Sequence, residues 1–336
     1  MIEPTTFLND CKTKKNSYAG LLVSKLYNLQ EEINYFTNHL KQPTTKTKKT
    51  VKVICNWTTS MHLVELWNKM SKDNNGNWED THITWRDSPT PDFYVIINAP
   101  YKGEHYIPEK TIILHMEPNM ENESVWKDWS LPKLDKTKFF KIIDHANGHN
   151  NCEWHLSKTY SELSNNKQIT KTKDKCISTI LSGKYMDIGH IKRIDFVKFL
   201  EKQEVKIDVY GDNKWNYKNY KGKLPLWQKD EGLFDYKYHF NAENTEKNNY
   251  FTEKIIDAIL AECLCFYWGC PNIGDFIPKE SFIRLDLCSF ETDLEKIKYC
   301  IENDMWKERL PYIKIAKEKI LNTLNFFPRL NQIISI

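Results

Sequence analysis

Positions 243–254 read ENTEKNNYFTEK, a short polar stretch that gathers Glu243, Tyr250, Glu253 and Lys254. Thr252 has the side chain of a helix N-cap, and Ile255, Ile256, Ile259, Leu260 and Cys263 behind it form one apolar stripe. A helix therefore starts at Thr252, and its first turn offers free backbone N–H groups and a positive dipole end that suit a phosphate. Lys254 adds a point charge, while Glu253 or Glu243 can accept hydrogen bonds from ribose hydroxyls. Arg193 follows the loop SGKYMDIGH and lies early in another helix, where a guanidinium can clamp a diphosphate bidentately. The plain alternatives are a capped helix with solvated side chains and an ordinary surface arginine.

The elements that must hold these residues read as α/β. Short apolar runs at 51–57, 92–99 and 111–116 suit strands buried on both faces, as in a parallel sheet covered by helices. Polar residues 157–175 look like a junction. The pattern then restarts with a strand at 176–181, a helix at 188–202 and a strand at 205–211. Further on come strands at 236–242, 264–268 and 282–285, with the helix 252–263 among them. The loop 243–250 thus falls at a carboxyl edge of a sheet, where open α/β sheets bind ligands. This gives a helical extension and linker at 1–50, an N-terminal domain at 51–172, a second domain at 173–305 and C-terminal helices at 306–336. Leu22, Leu26, Leu29, Ile33, Phe36 and Leu40 form a seam within residues 18–40, either packed on its own domain or offered to a homodimer.

Composition narrows the function. The chain has 336 residues with 48 basic against 45 acidic side chains, a net charge of +3, and Lys and Glu alternate along it. That mixed surface argues against a dedicated nucleic-acid binder, which concentrates base on one face. Nine scattered cysteines without a CxxC pair fit reduced thiols and a cytoplasmic location. The opening residues carry no apolar signal region, and no run long enough for a membrane span is present.

The segment 236–271, YKYHFNAENTEKNNYFTEKIIDAILAECLCFYWGCP, resembles the donor-site signature of the α-1,3/4-fucosyltransferases, roughly YKF-x3-FEN[ST] followed by Y[VF]TEK, a helix and a G-x-P turn. The likeness continues through PKESFIRLDLCSFETDLEKIKY and reaches back to KRIDFVKFLEKQEVKIDVYG, covering about 125 residues, 176–299. The resemblance implies a GT-B architecture, two Rossmann-like domains facing a cleft, with GDP-fucose held by the C-terminal one and a glycan as acceptor. It implies that Arg193 and Lys254 face the diphosphate, that Tyr250 and Glu253 contact phosphate and ribose, and that Glu243 with Asn244 shapes the sugar pocket. His239, Asn241 and Ala242 depart from the apolar or aromatic residues of that signature.

The family's catalytic carboxylate has its nearest equivalent in ILHMEPN, at Glu117, with Glu121 and Glu123 as competitors. One carboxylate suffices for a single displacement with inversion: it takes the acceptor proton while Arg193 and Lys254 stabilise the departing diphosphate. No DxD sequence occurs in the chain, so neither a bound metal nor another cofactor is expected; the GDP-sugar is a substrate. His145, His149, Cys152 and His155 have the letters of a zinc site but lack a paired frame. The Trp/Lys loop 211–227 reads as a stacking surface for single-stranded nucleic acid or as a substrate flap. Two alternatives stand beside the fucosyltransferase: a same-fold enzyme using another nucleotide-deoxysugar, and a non-catalytic glycan- or nucleic-acid-binding protein.

Overall fold

The computed structural model describes residues 48–118, 129, 133–148, 153–165, 169–172 and 176–335, together with Leu26, Leu29 and Gln30. Most of the 18–40 seam, and the dimer contact assigned to it, therefore lie outside the described residues. Leu26 and Leu29 are helical and exposed. Glu121, Glu123, His149 and Cys152 are outside as well.

The N-terminal sheet has six strands: β1 (Lys49–Cys55), β2 (Asn77–Trp78), β3 (Thr81–Thr84), β4 (Phe93–Ile97), β5 (Thr111–Leu114) and β6 (Lys141–Ile143). Their order is β2-β3-β1-β4-β5-β6, and β1 runs parallel to both neighbours. Val51, Val53, Ile54 and Cys55 of β1 are fully buried, as are Tyr94 to Ile97 of β4. Continuous apolar runs are what a sheet covered on both faces requires. Lys52, buried among them, pairs with Asp87 at 2.8 Å and Glu104 at 2.7 Å, so its burial leaves no bare ammonium.

The C-terminal sheet is built from β7 (Ile177–Leu181), β8 (Ile207–Gly211), β9 (Tyr220–Gly222), β10 (Tyr238–Ala242), β11 (Leu264–Trp268) and β12 (Phe282–Arg284). Its order is β12-β11-β10-β7-β8-β9, and every neighbouring pair is parallel. Numbered within the sheet this is the doubly wound order 3-2-1-4-5-6, whose strand direction of travel reverses between β7 and β10. That reversal opens a crevice at the carboxyl ends of these two strands. The helix Ile188–Lys202 leaves β7 on one side of it, and the helix Glu253–Leu260 leaves β10 on the other.

By internal contacts the described chain divides into two compact units. One holds the residues up to Leu66 with Asp80–Ile113 and Asp135–Lys141; the other holds Trp67–Glu79, Leu114–Leu134 and Ile142–Ile336. The second unit also carries the helices Phe290–Glu302, Met305–Lys319 and Phe326–Ile334. Lys317 reaches the buried Glu262 at 2.9 Å, and Trp306 donates its indole N–H to the Glu262 carbonyl at 2.8 Å. Asn325 both caps the last helix and donates to the Met70 carbonyl at 2.9 Å, joining residues 67–79 to that unit. The polar run read as a junction contains a helical turn, Tyr160–Leu163, with Thr159 and Glu162 as a reciprocal capping box.

Candidate functional site

Arg193 sits at the switch point of the C-terminal sheet. Its guanidinium is 5% exposed and spans the crevice: Nη2 donates to Ser182 Oγ after β7 at 2.9 Å, and Nη1 donates to the Ala242 carbonyl of β10 at 3.2 Å. A longer contact of 3.4 Å reaches Asn244 Oδ1. Burial pulls the Arg193 pKa down from its ordinary value, against the pull of Glu243 and Glu253. The helix can bring Arg193 so close only because its second residue is Gly189. A Cβ there would stand 1.8 Å from the Glu243 carbonyl oxygen, and the Gly189 N–H instead donates to the Asn244 carbonyl at 3.0 Å.

Glu243 is fully buried and works from beneath. Its carboxylate accepts from the Thr252 N–H at 2.9 Å, the Thr252 hydroxyl at 2.7 Å and the Tyr267 hydroxyl at 3.3 Å. Lys254 closes the set, 3.3 Å from Glu243 Oε2 and 2.9 Å from Thr252 Oγ1. Thr252 Oγ1 gives its single proton to Glu243 and accepts from Lys254, so the capping residue also orients the cation. The approach of β11 is equally tight: at Gly269, with φ +148°, a Cβ would lie 2.4 Å from Glu243 Cγ.

Beside this cluster lies a cavity of about 440 Å³ wholly within the second unit. Arg193, Asn244, Glu253 and Lys254 line it, and Ser182, Lys184, His190, Lys223, Lys229 and Asp257 join them. Five fixed cations therefore face the space against three carboxylates, Asp212, Glu253 and Asp257. Two of those carboxylates are already taken: Lys229 lies 3.3 Å from Glu253 and 3.0 Å from Asp257. His190, held at a pKa of about 4 by burial and by Arg193, adds no charge near neutrality. His239, on the cavity floor beside Ser178 at 2.8 Å, is held neutral with a pKa of about 3, by burial first. The surplus is positive, which is the complement of a diphosphate.

Neither Glu243 nor Tyr250 lines the cavity. Tyr250 is buried, with its ring centroid 5.2 Å from that of His145 in an edge-on arrangement, and burial raises its phenol well above the ordinary range. Glu117 is exposed at the turn after β5. It lies near enough to Tyr250 for its charge to act on the phenol, and Lys247 of the 243–250 loop donates to the adjacent Pro118 carbonyl at 3.2 Å. The structure thus brings Glu117 toward that loop from the segment 114–118. The Trp/Lys loop ends at the cavity: Lys223, Leu224, Pro225, Leu226 and Trp227 form part of its wall, with Trp227 packed 4.0 Å from the His155 ring.

Lys229, Ser182, Lys184 and Asp257 were not singled out by the sequence. Asp257 stands four residues after Glu253, so the helical repeat places both carboxylates on one face. Ser182 and Lys184 occupy the turn after a strand at the ligand-binding edge. Lys229 carries no such signal, since only tertiary packing brings it to the helix 253–260.

The second unit has a doubly wound sheet with a phosphate-suited crevice, and the whole chain is similar in fold to GT-B glycosyltransferases. Over 88% of its length it superposes on 94% of a crystallised α1,3-fucosyltransferase with GDP, at a TM-score of 0.51 and 17% identity. An α-glucosyltransferase crystallised with UDP and a 13-mer DNA gives a TM-score of 0.53 at 9% identity, over 86% of this chain and all of that one. Residues 170–306 match the model of glycosyltransferase family 10 (fucosyltransferase), C-terminal part. The α-(1,3)-fucosyltransferase FucT of Helicobacter pylori is 37% identical over 99 residues, 29% of this chain and 20% of that protein. A fucosyltransferase-like protein of Arabidopsis thaliana is 32% identical over 113 residues, 33% of this chain and 21% of its own. The matched region spans about a fifth of the length of these curated relatives.

Proposed function

We propose that the chain is an inverting glycosyltransferase that transfers L-fucose from GDP-fucose to a glycan hydroxyl, in an α-1,3-type linkage. The observation that carries this reading is the placement of Arg193, Asn244, Glu253 and Lys254 around one cation-rich cavity at the switch point. The family match of residues 170–306, and the GDP held by a protein of similar fold, support guanosine diphosphate as the leaving group.

In this reaction the acceptor hydroxyl oxygen attacks the anomeric carbon as the bond to the β-phosphate oxygen breaks. The bonding pair departs with GDP, and the hydroxyl proton passes to the Glu117 carboxylate. Charge builds on the leaving diphosphate, where Arg193 and Lys254 are already oriented by Ser182, Ala242, Thr252 and Glu243. Donors fixed before the reaction need no reorganisation during it, which is how such groups lower a barrier. With the leaving group neutralised by side chains, we infer that the step needs no divalent ion.

A second reading is favoured by one observation. His239 and Asn241 line the cavity where the fucosyltransferase signature has apolar or aromatic residues. A polar floor of this kind suits a nucleotide-deoxysugar whose sugar carries an additional hydrogen-bonding group.

A nucleotide panel tests both readings. Thermal shifts would be measured with GDP, GDP-fucose, UDP and UDP-glucose in the presence of EDTA, followed by GDP release with glycan acceptors. GDP and GDP-fucose should raise the melting temperature without added metal, and UDP compounds should not. Stabilisation by uridine nucleotides alone, or binding only when a divalent ion is restored, would overturn the proposal.

A further inference from the structure

Lys229 lies outside the quoted signature motifs, yet it is a half-buried cation of the cavity wall that bonds two carboxylates of one helix. Its ammonium reaches across from the loop after Trp227 to the helix Glu253–Leu260, donating to Asp257 Oδ2 at 3.0 Å and Glu253 Oε1 at 3.3 Å. Lys254 approaches the same Glu253 oxygen at 3.7 Å. Both lysines thus sit against Oε1. We propose that Lys229 is a positioning residue of the donor site, which pairs with Asp257 and Glu253 to keep the Glu253 carboxylate ionised and aimed at the ribose hydroxyls. The inference rests on the GDP-sugar reading above.

The geometry has a reason to exist. Glu253 and Asp257 are one turn apart on a buried helix face, and two carboxylates so placed repel unless a cation sits between them. Asp257 is further tied down, since it accepts the His155 backbone N–H at 2.8 Å. Lys229 can therefore pull only on Glu253, and it holds the same carboxylate oxygen that Lys254 approaches. Burial works against the charge of Glu253, yet Lys254, Lys229 and His155 hold it well below the usual carboxylate range. Burial pushes Asp257 up in spite of Lys229. Other charges of this cluster are Arg193 on the helix Ile188–Lys202, Glu243, which shares Lys254 at 3.3 Å, and Glu153 beside His155, 3.1 Å from its ring nitrogen. Lys69 faces Asp257, Glu153 and Lys229 from the segment after Leu66. Of these, Lys229 alone bonds both carboxylates of the helix.

Removing that cation leaves two carboxylates in a buried place with less compensation, so the Glu253 pKa should rise. The acceptor of the ribose hydroxyls is then lost as pH falls through the new value, and regained above it. The test is the GDP dissociation constant of Lys229→Met and Lys229→Arg relative to the native protein, from pH 5.5 to 8.5. Taking the ratio at each pH cancels the titration of GDP itself. For Lys229→Met the ratio should be about tenfold or more at the acid end and shrink toward the alkaline end, whereas Lys229→Arg should stay near one throughout. A ratio near one at every pH, or a constant factor at every pH, would overturn the inference. Glu253→Gln supplies a second reading should Lys229→Met not fold: GDP affinity equal to that of the native protein would show that no ionised Glu253 is needed. Absence of GDP binding by the native protein would instead refute the donor reading.

Discussion

At the scale of single residues, the site divides into side chains that face the cavity and side chains that hold them. Arg193 and Lys254 face it; Glu243, fully buried beneath Thr252 and Lys254, holds. The sequence could show which residue types gather at 243–254, but not which of them look outward, because that depends on the pleat of β10 and the start of the next helix. Glu117 belongs to the same scale. It is exposed, its charge adds to burial and Glu243 in raising the Tyr250 phenol, and it is the base of the proposed reaction. Glu117→Gln keeps its shape and removes its basicity, so turnover should fall by about 100-fold or more with GDP binding unchanged. Turnover near that of the native enzyme in steady-state assays would remove Glu117 from the reaction.

At the scale of elements, the strands and helices that place the donor loop were legible because their signals are local. A run of apolar residues marked β10 and β11, and Thr252 with an isoleucine stripe marked the helix after them. The helix read at 188–202 spans Ile188–Lys202. The edges of both sheets were harder: β2, β6 and β9 are two or three residues long and carry no period. Lys229 was illegible for the related reason that its partners lie 24 and 28 residues away. The tightest junction between elements is Gly189 against the Glu243 carbonyl. Gly189→Ala must push the helix off that loop, costing roughly 1–3 kcal/mol of stability. Arg193 moves with the helix, so calorimetry should show a lower melting temperature and titration a weaker GDP affinity. An alanine variant unchanged in both would mean that the helix start does not hold the site.

At the scale of the whole chain, two parallel sheets were legible from the alternation of apolar strands and amphipathic helices, and so was the similarity of residues 170–306 to the fucosyltransferase family model. The second compact unit takes in residues 67–79, which no linear reading of the polar run 157–175 could foresee, since Asn325 with Met70 and Trp67 with Phe326 join them by tertiary contacts alone. Among the described residues no helix is long and apolar enough to cross a membrane. The central claim is that a guanosine diphosphate is held at the C-terminal switch point by Arg193 and Lys254. Titration calorimetry of GDP against the native protein, Arg193→Ala and Lys254→Ala tests it directly. Each variant should lose about 1.5–3 kcal/mol of binding, a tenfold to more than hundredfold weaker dissociation constant, while remaining folded. GDP bound as tightly by both folded variants as by the native protein would contradict that placement.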